Sequence, residues 1–452
     1  MEQKNSLQAR QYFQKITAFN RNLAATYYQR GKTNLRRKDY VAAVLDFTTV
    51  LELDPQHVKS YLIRGFIYGE MKDFEREIAD YSAAILLDPL SARAYRSRGY
   101  AYGVLQNYER AIADLDRAVE LNPDYTQAYF NLGCIHQLLN QERLAIASFS
   151  QVIRLEPDNA KAYFKRGNIY CQQENFKNAL FDFSQAIASD RDYALAYRHR
   201  AEIHFQREDY HNAIIDYSQA ILLDPRDWQS WYNQGHSYRR IRDYYNAWVS
   251  YTKTIELKPR FADAYQDRGY IYGKLKNFES AIGDYTQSIG CDPNNARSYY
   301  HRAIAYNFLQ HYERAIADYT TCIELDPGYD RAYYNRGVTY SLLQQHQAAI
   351  DDYNLALTAR FQSPIIYNNR GIAYQQLKEY RLAIADFTKA ILFDPNYADA
   401  YYNRALVYHL LENWQSTIKD LTVAKSLFQK QGKIFLVEKA LEMMKQLEQL
   451  AE

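Results

Sequence analysis

Prolines recur along this chain at a fixed interval of 34 residues. Nine of the ten prolines lie on that interval: Pro55, Pro89, Pro123, Pro157, Pro225, Pro259, Pro293, Pro327 and Pro395. The two positions of the series without proline hold Arg191 and Phe361, so no insertion interrupts the period. A period of this length indicates a stack of similar supersecondary units rather than one globular core. Stacked repeats present a long surface, which is typical of proteins that hold other proteins.

The composition is that of an ordinary foldable protein, with 47% hydrophobic and 24% charged residues in 452. The formal net charge is only +2, so no global field favours nucleic acid or an anionic membrane. The first residues lack the apolar core of a signal peptide, and nowhere do eighteen apolar residues follow one another. The four cysteines are scattered, which fits a reducing compartment. We therefore expect a cytoplasmic protein without membrane insertion.

The register is defined here by placing the recurring proline at position 32 of each repeat. Twelve full repeats then follow one another from residue 24 to residue 431, between a capping helix at 1–23 and a second at 432–452. Their boundaries are 24–57, 58–91, 92–125, 126–159, 160–193, 194–227, 228–261, 262–295, 296–329, 330–363, 364–397 and 398–431. Gly432 is expected to separate the last capping helix from the helix before it.

Each repeat reads as two helices. Position 4 is always aromatic, position 8 is Gly or Ala, and position 11 is mostly Tyr, which places these side chains on one face of a first helix. Position 20 is Ala in ten repeats, with Glu77 and Thr417 as exceptions. Position 24 is Tyr, Phe or Leu, and position 28 is nearly always Ile, Leu or Val. Small residues at positions 8 and 20 predict close contact between the two helices. The Asp-Pro or Asn-Pro step ends the second helix.

In repeat 3 the motifs are Tyr95-x2-Arg98-Gly99-x2-Tyr102, then Ala111-x3-Leu115, then Pro123. This pattern resembles the tetratricopeptide repeat (TPR) family, and the resemblance covers residues 24–431. It implies an all-α fold, an α-solenoid in which about twelve helix-turn-helix repeats form a right-handed superhelix. The excess of tyrosine, 45 residues, follows from its recurrence at fixed positions of the repeat.

One feature departs from the family, which usually has leucine at position 7. Ten repeats have arginine there: Arg30, Arg64, Arg98, Arg166, Arg200, Arg268, Arg302, Arg336, Arg370 and Arg404. Position 23 is aspartate in the same ten repeats: Asp46, Asp80, Asp114, Asp182, Asp216, Asp284, Asp318, Asp352, Asp386 and Asp420. Repeats 4 and 7 lack both, with Leu132 and Gln234 at position 7 and Ser148 and Ser250 at position 23. Because the exceptions coincide, we predict an Arg–Asp bridge within each of the ten repeats. Arginines that line a groove for an acidic ligand are the alternative.

The resemblance implies that the first helices line a concave groove, with positions 2, 5, 6, 9, 12 and 13 facing a partner. Aromatic candidates for partner contact are Phe130, Phe164, Tyr232, Tyr270, Tyr300, Tyr334 and Tyr402. A row of asparagines at position 6 offers donors and acceptors to the backbone of an extended peptide: Asn131, Asn233, Asn335, Asn369 and Asn403. Arg96, Arg198 and Arg239 also point into the groove and favour an acidic segment.

The family's site for chaperone tails requires a lysine and an asparagine at positions 5 and 9, asparagine at position 6 of the next repeat, and basic residues in the third. No three successive repeats satisfy this pattern. No metal-ligand spacing, phosphate loop or nucleophile motif is present, so we expect no catalytic residue, cofactor or metal. The sequence favours a non-enzymatic scaffold that binds a peptide or helix of a partner protein, during assembly of a multiprotein complex. The alternatives are a helical-repeat RNA-binding protein and a regulatory subunit of a separately encoded enzyme.

Overall fold

The computed structural model describes the backbone of residues 2–358 and 363–451, and the side chains of residues 15, 17–357 and 363–447. Phe361 of the proline series lies outside the described residues. All regular secondary structure in the described part is α-helical, which confirms the predicted all-α class. The chain divides into two compact bodies, Met1–Pro225 (the N-terminal body) and Arg226–Glu452 (the C-terminal body), and each is described by itself.

Residues 2–225, the described part of the N-terminal body, form twelve helices. They are α1 (Glu2–Arg36), α2 (Tyr40–Leu53), α3 (Val58–Glu70), α4 (Phe74–Leu87), α5 (Ala92–Val104), α6 (Tyr108–Leu121), α7 (Thr126–Leu138), α8 (Glu142–Leu155), α9 (Ala160–Gln172), α10 (Phe176–Ser189), α11 (Ala194–Gln206) and α12 (Tyr210–Leu223). From α1 to α12, each helix packs on the next one within this body, and first helices of adjacent repeats also touch, as α3 and α5 do.

The described residues of the C-terminal body, 226–358 and 363–451, form thirteen helices that pack in the same sequential way. They are α13 (Trp228–Arg240), α14 (Tyr244–Leu257), α15 (Ala262–Lys274), α16 (Phe278–Cys291), α17 (Ala296–Phe308), α18 (Tyr312–Leu325), α19 (Asp330–Leu342), α20 (His346–Thr358), α21 (Pro364–Gln376), α22 (Tyr380–Phe393), α23 (Ala398–Leu410), α24 (Trp414–Lys430) and α25 (Ile434–Ala451). Sequential packing of helical hairpins makes each body a solenoid.

The turn between the two helices of a repeat has the same backbone conformation throughout. Position 15 has a positive φ in all twelve repeats, although none of these residues is glycine; Gln106, for example, has a φ of 59°. The next residue caps the second helix, as when the Asn107 side chain accepts a hydrogen bond from the Arg110 N–H. A single left-handed residue therefore reverses the chain in every repeat. The side chain of the next residue caps the second helix in eight of the repeats, whereas Gln141, His311 and Glu379 form no such hydrogen bond.

Small residues let the two helices of a repeat approach closely, as the sequence predicted. The alanines at position 20, such as Ala145 and Ala383, are fully buried. A Cβ added to Gly371 would lie 2.7 Å from a ring carbon of Phe387, so glycine leaves just enough room for this buried ring. The aromatic rings at position 24 therefore fill the space that the small residues at position 8 leave open.

All ten predicted Arg–Asp bridges are present within their repeats, with N–O distances of 2.5–2.9 Å. Arg98 donates from Nε and Nη2 to the two carboxylate oxygens of Asp114, at 2.7 and 2.8 Å. The aspartates are at most 6% exposed. Hydrogen bonding to Asp114 raises the pKa of Arg98, which favours the charged guanidinium. These arginines hold the two helices of a hairpin together.

The same guanidiniums also contact the preceding repeat, which the sequence analysis missed. Arg98 Nη1 donates a hydrogen bond to Ser82 Oγ at 3.0 Å, sixteen residues earlier. Nine of the ten arginines contact position 25 of the repeat before in this way, and the residues they contact are Thr48, Ser82, Ser150, Ser184, Thr252, Thr286, Thr320, Asn354 and Thr388. Each of these nine arginines therefore joins three helices.

Tyrosines at positions 4 and 11 flank many of these guanidiniums. Arg98 Cζ lies 5.7 Å from the Tyr95 ring and 6.0 Å from the Tyr102 ring, and the same arrangement recurs in repeats 2, 5, 8, 9, 11 and 12. Tyrosine combines a large apolar ring, which favours a nearby cation, with a hydroxyl that reaches solvent. The tyrosine content thus follows partly from the arginine at position 7.

The two exceptional repeats replace the ion pair in different ways. In repeat 7, Ser250 Oγ donates to Gln234 Oε1 at 3.0 Å, so a buried neutral pair stands where the others have charges. In repeat 4, Leu132 is buried and Ser148 Oγ donates to the Leu144 carbonyl. Neither repeat leaves a buried charge without a partner at these positions, which is the physical reason for the covariation.

The two ends differ from each other. The structure departs from a separate capping helix at 1–23, because α1 continues from Glu2 to Arg36; no proline or glycine interrupts it near residue 24. At the other end, Gly432 has a φ of 70° and separates α24 from α25. Val437 and Leu447 of α25 are buried against the last repeat, while Ile434 is 71% exposed.

Candidate functional site

Position 5 of one repeat and position 6 of the next form a contact that recurs in the C-terminal body. Asn335 Nδ2 donates to Tyr300 Oη at 2.9 Å, and Asn369 Nδ2 donates to Tyr334 Oη at 3.2 Å. Asn403 Nδ2 donates to Asn368 Oδ1 at 3.0 Å. Two members of the predicted asparagine row, Asn335 and Asn369, therefore contact predicted aromatic residues within the protein. Its amide N–H groups join adjacent first helices, while the carbonyl oxygens of Asn335 and Asn403 remain as acceptors.

Other candidate aromatic residues pack inside the fold. Phe164 is 7% exposed and contacts the rings of Phe183 and Tyr193, at centroid distances of 5.7 and 4.9 Å. Tyr402 packs on Phe428 at 6.1 Å. Asn233, on α13, is half-buried. Phe164 is therefore part of the hydrophobic core, which its sequence position alone does not reveal.

In the N-terminal body, the same pair of positions holds two hydrogen-bond donors. Arg96 at position 5 and Asn131 at position 6 line one cavity of about 260 Å³. The Nε of Arg96 and the Nδ2 of Asn131 are buried, and neither has a hydrogen-bond partner among the described residues. Two donors cannot satisfy each other, in contrast to the Tyr–Asn pairs. Buried donors without partners are rare in native proteins, so this cavity favours an external acceptor.

The remaining wall of this cavity adds charge and apolar surface. Lys161 of the next repeat contributes a cation, and Phe130 contributes an aromatic ring that packs on Phe149 at 5.6 Å. Glu156 also lines the cavity, but its carboxylate accepts a hydrogen bond from Asn159 Nδ2 at 2.8 Å. The sequence search required lysine at position 5 and therefore missed that Arg96, Asn131 and Lys161 belong together. A search that accepts any basic residue at position 5 and does not require asparagine at position 9, where this repeat has Tyr100, finds them.

Arg198 and Arg239 have partners within the protein. Arg198 Nε lies 3.9 Å from Glu202 Oε1. Arg239 Nη1 lies 3.3 Å from Asp267 Oδ1, and Tyr232 Oη donates to Asp267 Oδ2 at 2.9 Å. Since Asp267 is 2% exposed, this carboxylate fixes both side chains.

Two neighbouring cavities lie on the first helices of the C-terminal body. The first, the basic cavity, measures about 520 Å³ and is lined by Arg239, Arg240, Arg242, Tyr244, Tyr270 and Lys274. The second, the apolar cavity, measures about 590 Å³, and its wall includes Tyr270, Phe278, Tyr285, Tyr300, Ile304 and Phe308. Tyr270 and Lys274 line both, so the two cavities are continuous at these residues. Three sequence candidates, Arg239, Tyr270 and Tyr300, therefore lie on one surface.

A buried carboxyl lies beside the Arg96 cavity. Glu77 is 5% exposed, and its Oε2 has no hydrogen-bond partner among the described residues. Burial raises the pKa of Glu77 to about 7, while Arg96 lowers it. A Cβ on Gly69 would lie 2.8 Å from this carboxylate, so glycine makes room for it. Glu77 stands at position 20, where ten repeats have alanine.

The described residues contain no group of three or more His, Cys, Asp or Glu side chains that could hold a metal ion. Burial raises the pKa of the Cys134 thiol, of Cys171 to about 11 and of Cys322 to about 12, so these thiols are protonated at neutral pH. Across the described part of the chain, no helix is both long and apolar enough to cross a bilayer.

The chain is similar to several solved structures. One is MamA, with 26% identity over 38% of this chain and 94% of that chain, at a TM-score of 0.36. Another is the APC/C hetero-tetramer Cut9-Hcn1, with 15% identity over 96% and 98% and a TM-score of 0.42. Yeast Tom70 has 16% identity over 95% and 96% and a TM-score of 0.36. A comparison with curated protein sequences found no match.

Family profiles described as tetratricopeptide repeat match most of the repeats. The matched residues are 58–89, 92–125, 126–159, 160–193, 194–227, 229–261, 262–295, 296–329, 318–351, 364–397 and 387–419. These ranges agree with the predicted register to within a few residues in most repeats. Together with the helical hairpins and their position-specific packing, they establish that the chain belongs to the tetratricopeptide repeat family.

Proposed function

We propose that this protein is a non-enzymatic scaffold that binds an extended segment of a partner protein on its first helices. Binding of this kind serves the assembly of a multiprotein complex. The observation that carries the proposal is the cavity between Arg96 and Asn131, where two buried donors have no hydrogen-bond partner in the described part of the chain. A bound segment would supply the missing acceptor oxygen.

The chemistry of this cavity favours a carboxylate or a backbone carbonyl. Arg96 and Lys161 supply positive charge from two repeats, and Asn131 supplies an amide donor between them. A charge-assisted hydrogen bond from Arg96 is stronger than one between neutral groups. Phe130 adds apolar contact for the aliphatic part of the segment. An array that is already folded loses little conformational entropy when the segment binds.

Peptide display against the full chain, followed by fluorescence anisotropy with a selected peptide, tests this proposal. The variant is Arg96→Gln with Asn131→Leu, and the control is Arg110→Gln, on the exposed face of α6. We expect the double variant to bind at least about tenfold more weakly, since it loses two hydrogen bonds to the ligand. Its free energy of unfolding should not fall, because the removed donors are unsatisfied in the free protein.

Three outcomes contradict the proposal. The first is equal affinity of the double variant and the wild type for every selected peptide. The second is a loss of affinity in Arg110→Gln as large as that in the double variant. The third is salt-dependent binding of single-stranded RNA in place of peptides, which would favour the RNA-binding alternative.

A further inference from the structure

The basic and apolar cavities of the C-terminal body form one surface with two kinds of wall. The Tyr270 ring stands at their junction, with Arg239 Cζ 5.5 Å and Lys274 Nζ 5.2 Å from its centroid. A ligand that contacts this ring therefore meets cations on one side and the apolar cavity on the other. None of the described residues that line the two cavities is acidic.

The apolar cavity has the size and lining of a site for a large side chain. Its volume of about 590 Å³ lies within the range typical of ligand sites. Phe308 is 65% exposed and stacks on Phe278, with ring centroids 4.5 Å apart. His301 stacks on Tyr285 at 5.8 Å, and burial lowers its pKa to about 4, so the imidazole is neutral at neutral pH. An exposed phenylalanine beside an apolar cavity is an incomplete hydrophobic contact.

The charges around these walls are only partly neutralised within the protein. Asp267 neutralises Arg239 from below the surface. Arg242, Lys274 and Lys276 form no ion pair with a described carboxylate. Arg242 and Lys276 lie in successive hairpin turns, with positive φ values of 63° and 59°, which sets both at the same edge of their repeats. A partner with negative charge on this side is attracted before contact is made.

We propose that this surface docks an acidic segment of another protein that carries an aromatic or large aliphatic side chain. The apolar side chain fills the cavity beside Phe308, and the carboxylates lie against Arg242, Lys274 and Lys276. This inference takes from the proposed function that the ligand is a protein segment. It adds a second binding site whose chemistry differs from that of the Arg96 cavity. A nucleic acid fits less well, because single strands need successive stacking platforms along a basic groove, and here one cavity lies beside one cluster of cations.

The probe is a fluorescent peptide of about ten residues that combines glutamates with one tryptophan. Its binding to the full chain is measured by fluorescence anisotropy. One reference peptide has glutamine for glutamate, and another has alanine for tryptophan. Arg242→Glu with Lys276→Glu reverses two charges. Glu174, Glu208 and Glu412 occupy the same turn position with positive φ, so the fold accepts glutamate there. Lys378→Glu, at this position in repeat 11, is the matched control because Lys378 is exposed and lines neither cavity.

We expect the double charge reversal to weaken binding at least about tenfold, with Lys378→Glu close to wild type. Phe308→Ala should weaken binding by about fivefold to tenfold at all salt concentrations, because it removes apolar contact rather than charge. Both reference peptides should bind more weakly than the probe. The salt dependence of probe binding should be smaller in the charge-reversed variant.

Several results overturn the inference. The inference is wrong if the double charge reversal and Phe308→Ala both bind the probe as tightly as the wild type. It is also wrong if the wild type does not bind the probe. Tighter binding of an RNA oligonucleotide than of the probe also overturns it. If only the Arg96 and Asn131 variant loses the probe, the second site is wrong while the proposed function stands. If this surface binds the probe and the Arg96 cavity binds no peptide, the inference stands and the first site is wrong.

Discussion

The Arg98 guanidinium donates two hydrogen bonds to Asp114, at 2.7 and 2.8 Å, across the two helices of its hairpin. A third hydrogen bond, to Ser82, extends the contact to the preceding repeat. The same arrangement in nine repeats gives each body polar connections within hairpins and between adjacent hairpins. A purely apolar interface tolerates sliding of one helix on another, whereas a forked hydrogen bond has one preferred geometry. We infer that these arginines fix the register of the repeats.

Removing one member of such a pair should cost more than removing both. In Arg268→Leu, the Asp284 carboxylate is left buried without its partner, and we expect a loss of about 3–5 kcal/mol in the free energy of unfolding. The double variant Arg268→Leu with Asp284→Leu should lose much less, because two apolar side chains can replace a buried pair. Urea unfolding followed by circular dichroism measures the difference. Identical melting of the single and double variants would contradict the paired role.

Repeat 7 supplies a natural replacement that can be moved to repeat 8. Since Gln234 and Ser250 form a neutral buried pair, Arg268→Gln with Asp284→Ser should reproduce that hydrogen bond. We expect a change of less than about 1.5 kcal/mol relative to the wild type, in the range of one ordinary hydrogen bond. The same unfolding measurement applies. If the free energy of unfolding falls as much as in Arg268→Leu, the Gln–Ser pair is stabilising only among the neighbouring residues of repeat 7.

Two glycines in the C-terminal body should respond to alanine with opposite signs. Gly371→Ala places a methyl group 2.7 Å from the Phe387 ring, and we expect a loss of about 1–3 kcal/mol from overpacking. Gly283→Ala meets no atom within 4 Å in the middle of α16, so it should stabilise by about 0.5–1 kcal/mol through helix propensity. Thermal denaturation compares the two. Equal effects would mean that packing at position 8 does not limit residue size.

Glu77 should make the N-terminal body less stable as pH rises. Its pKa is raised from 4.5 to about 7 by burial, so the folded state keeps a proton that the unfolded state has lost between these values. The free energy of unfolding therefore falls with increasing pH across this window, by about 3 kcal/mol, and the loss is complete above about pH 7. In Glu77→Ala this decline should disappear. Urea unfolding of the wild type and of Glu77→Ala at about pH 5 and about pH 8 measures this decline. An equal decline in the wild type and the variant would assign the effect to other groups.

The contact between Asn335 and Tyr300 should contribute to stability as well as to any ligand contact. A double-mutant cycle with Asn335→Ala and Tyr300→Phe isolates the hydrogen bond of 2.9 Å between them. We expect a coupling energy of about 1 kcal/mol in the free energy of unfolding. Zero coupling would indicate that the asparagine row does not join adjacent repeats and is free for a partner.

The Arg–Asp contacts could be predicted because both partners recur at fixed spacing and fail together in repeats 4 and 7. The third partner at position 25 was missed, since Thr48, Ser82 and Asn354 differ in type and Ser and Thr are common on exposed helix faces. The continuous helix α1 was missed for a similar reason. The repeat period marks a boundary at residue 24, but nothing in the local sequence ends a helix there.

The sequence by itself determined the all-α class, the repeat register and the ion pairs, because these follow from a period of 34 residues and from residue types at fixed positions. Tertiary structure decided which of the candidate residues are available to a partner. Phe164 and Asn335 occupy positions on the same face as Arg96 and Asn131, yet the first two contact the protein itself and the last two retain buried donors without partners. Availability depends on what the neighbouring repeat places opposite each side chain, and that pairing exists only once the hairpins have packed.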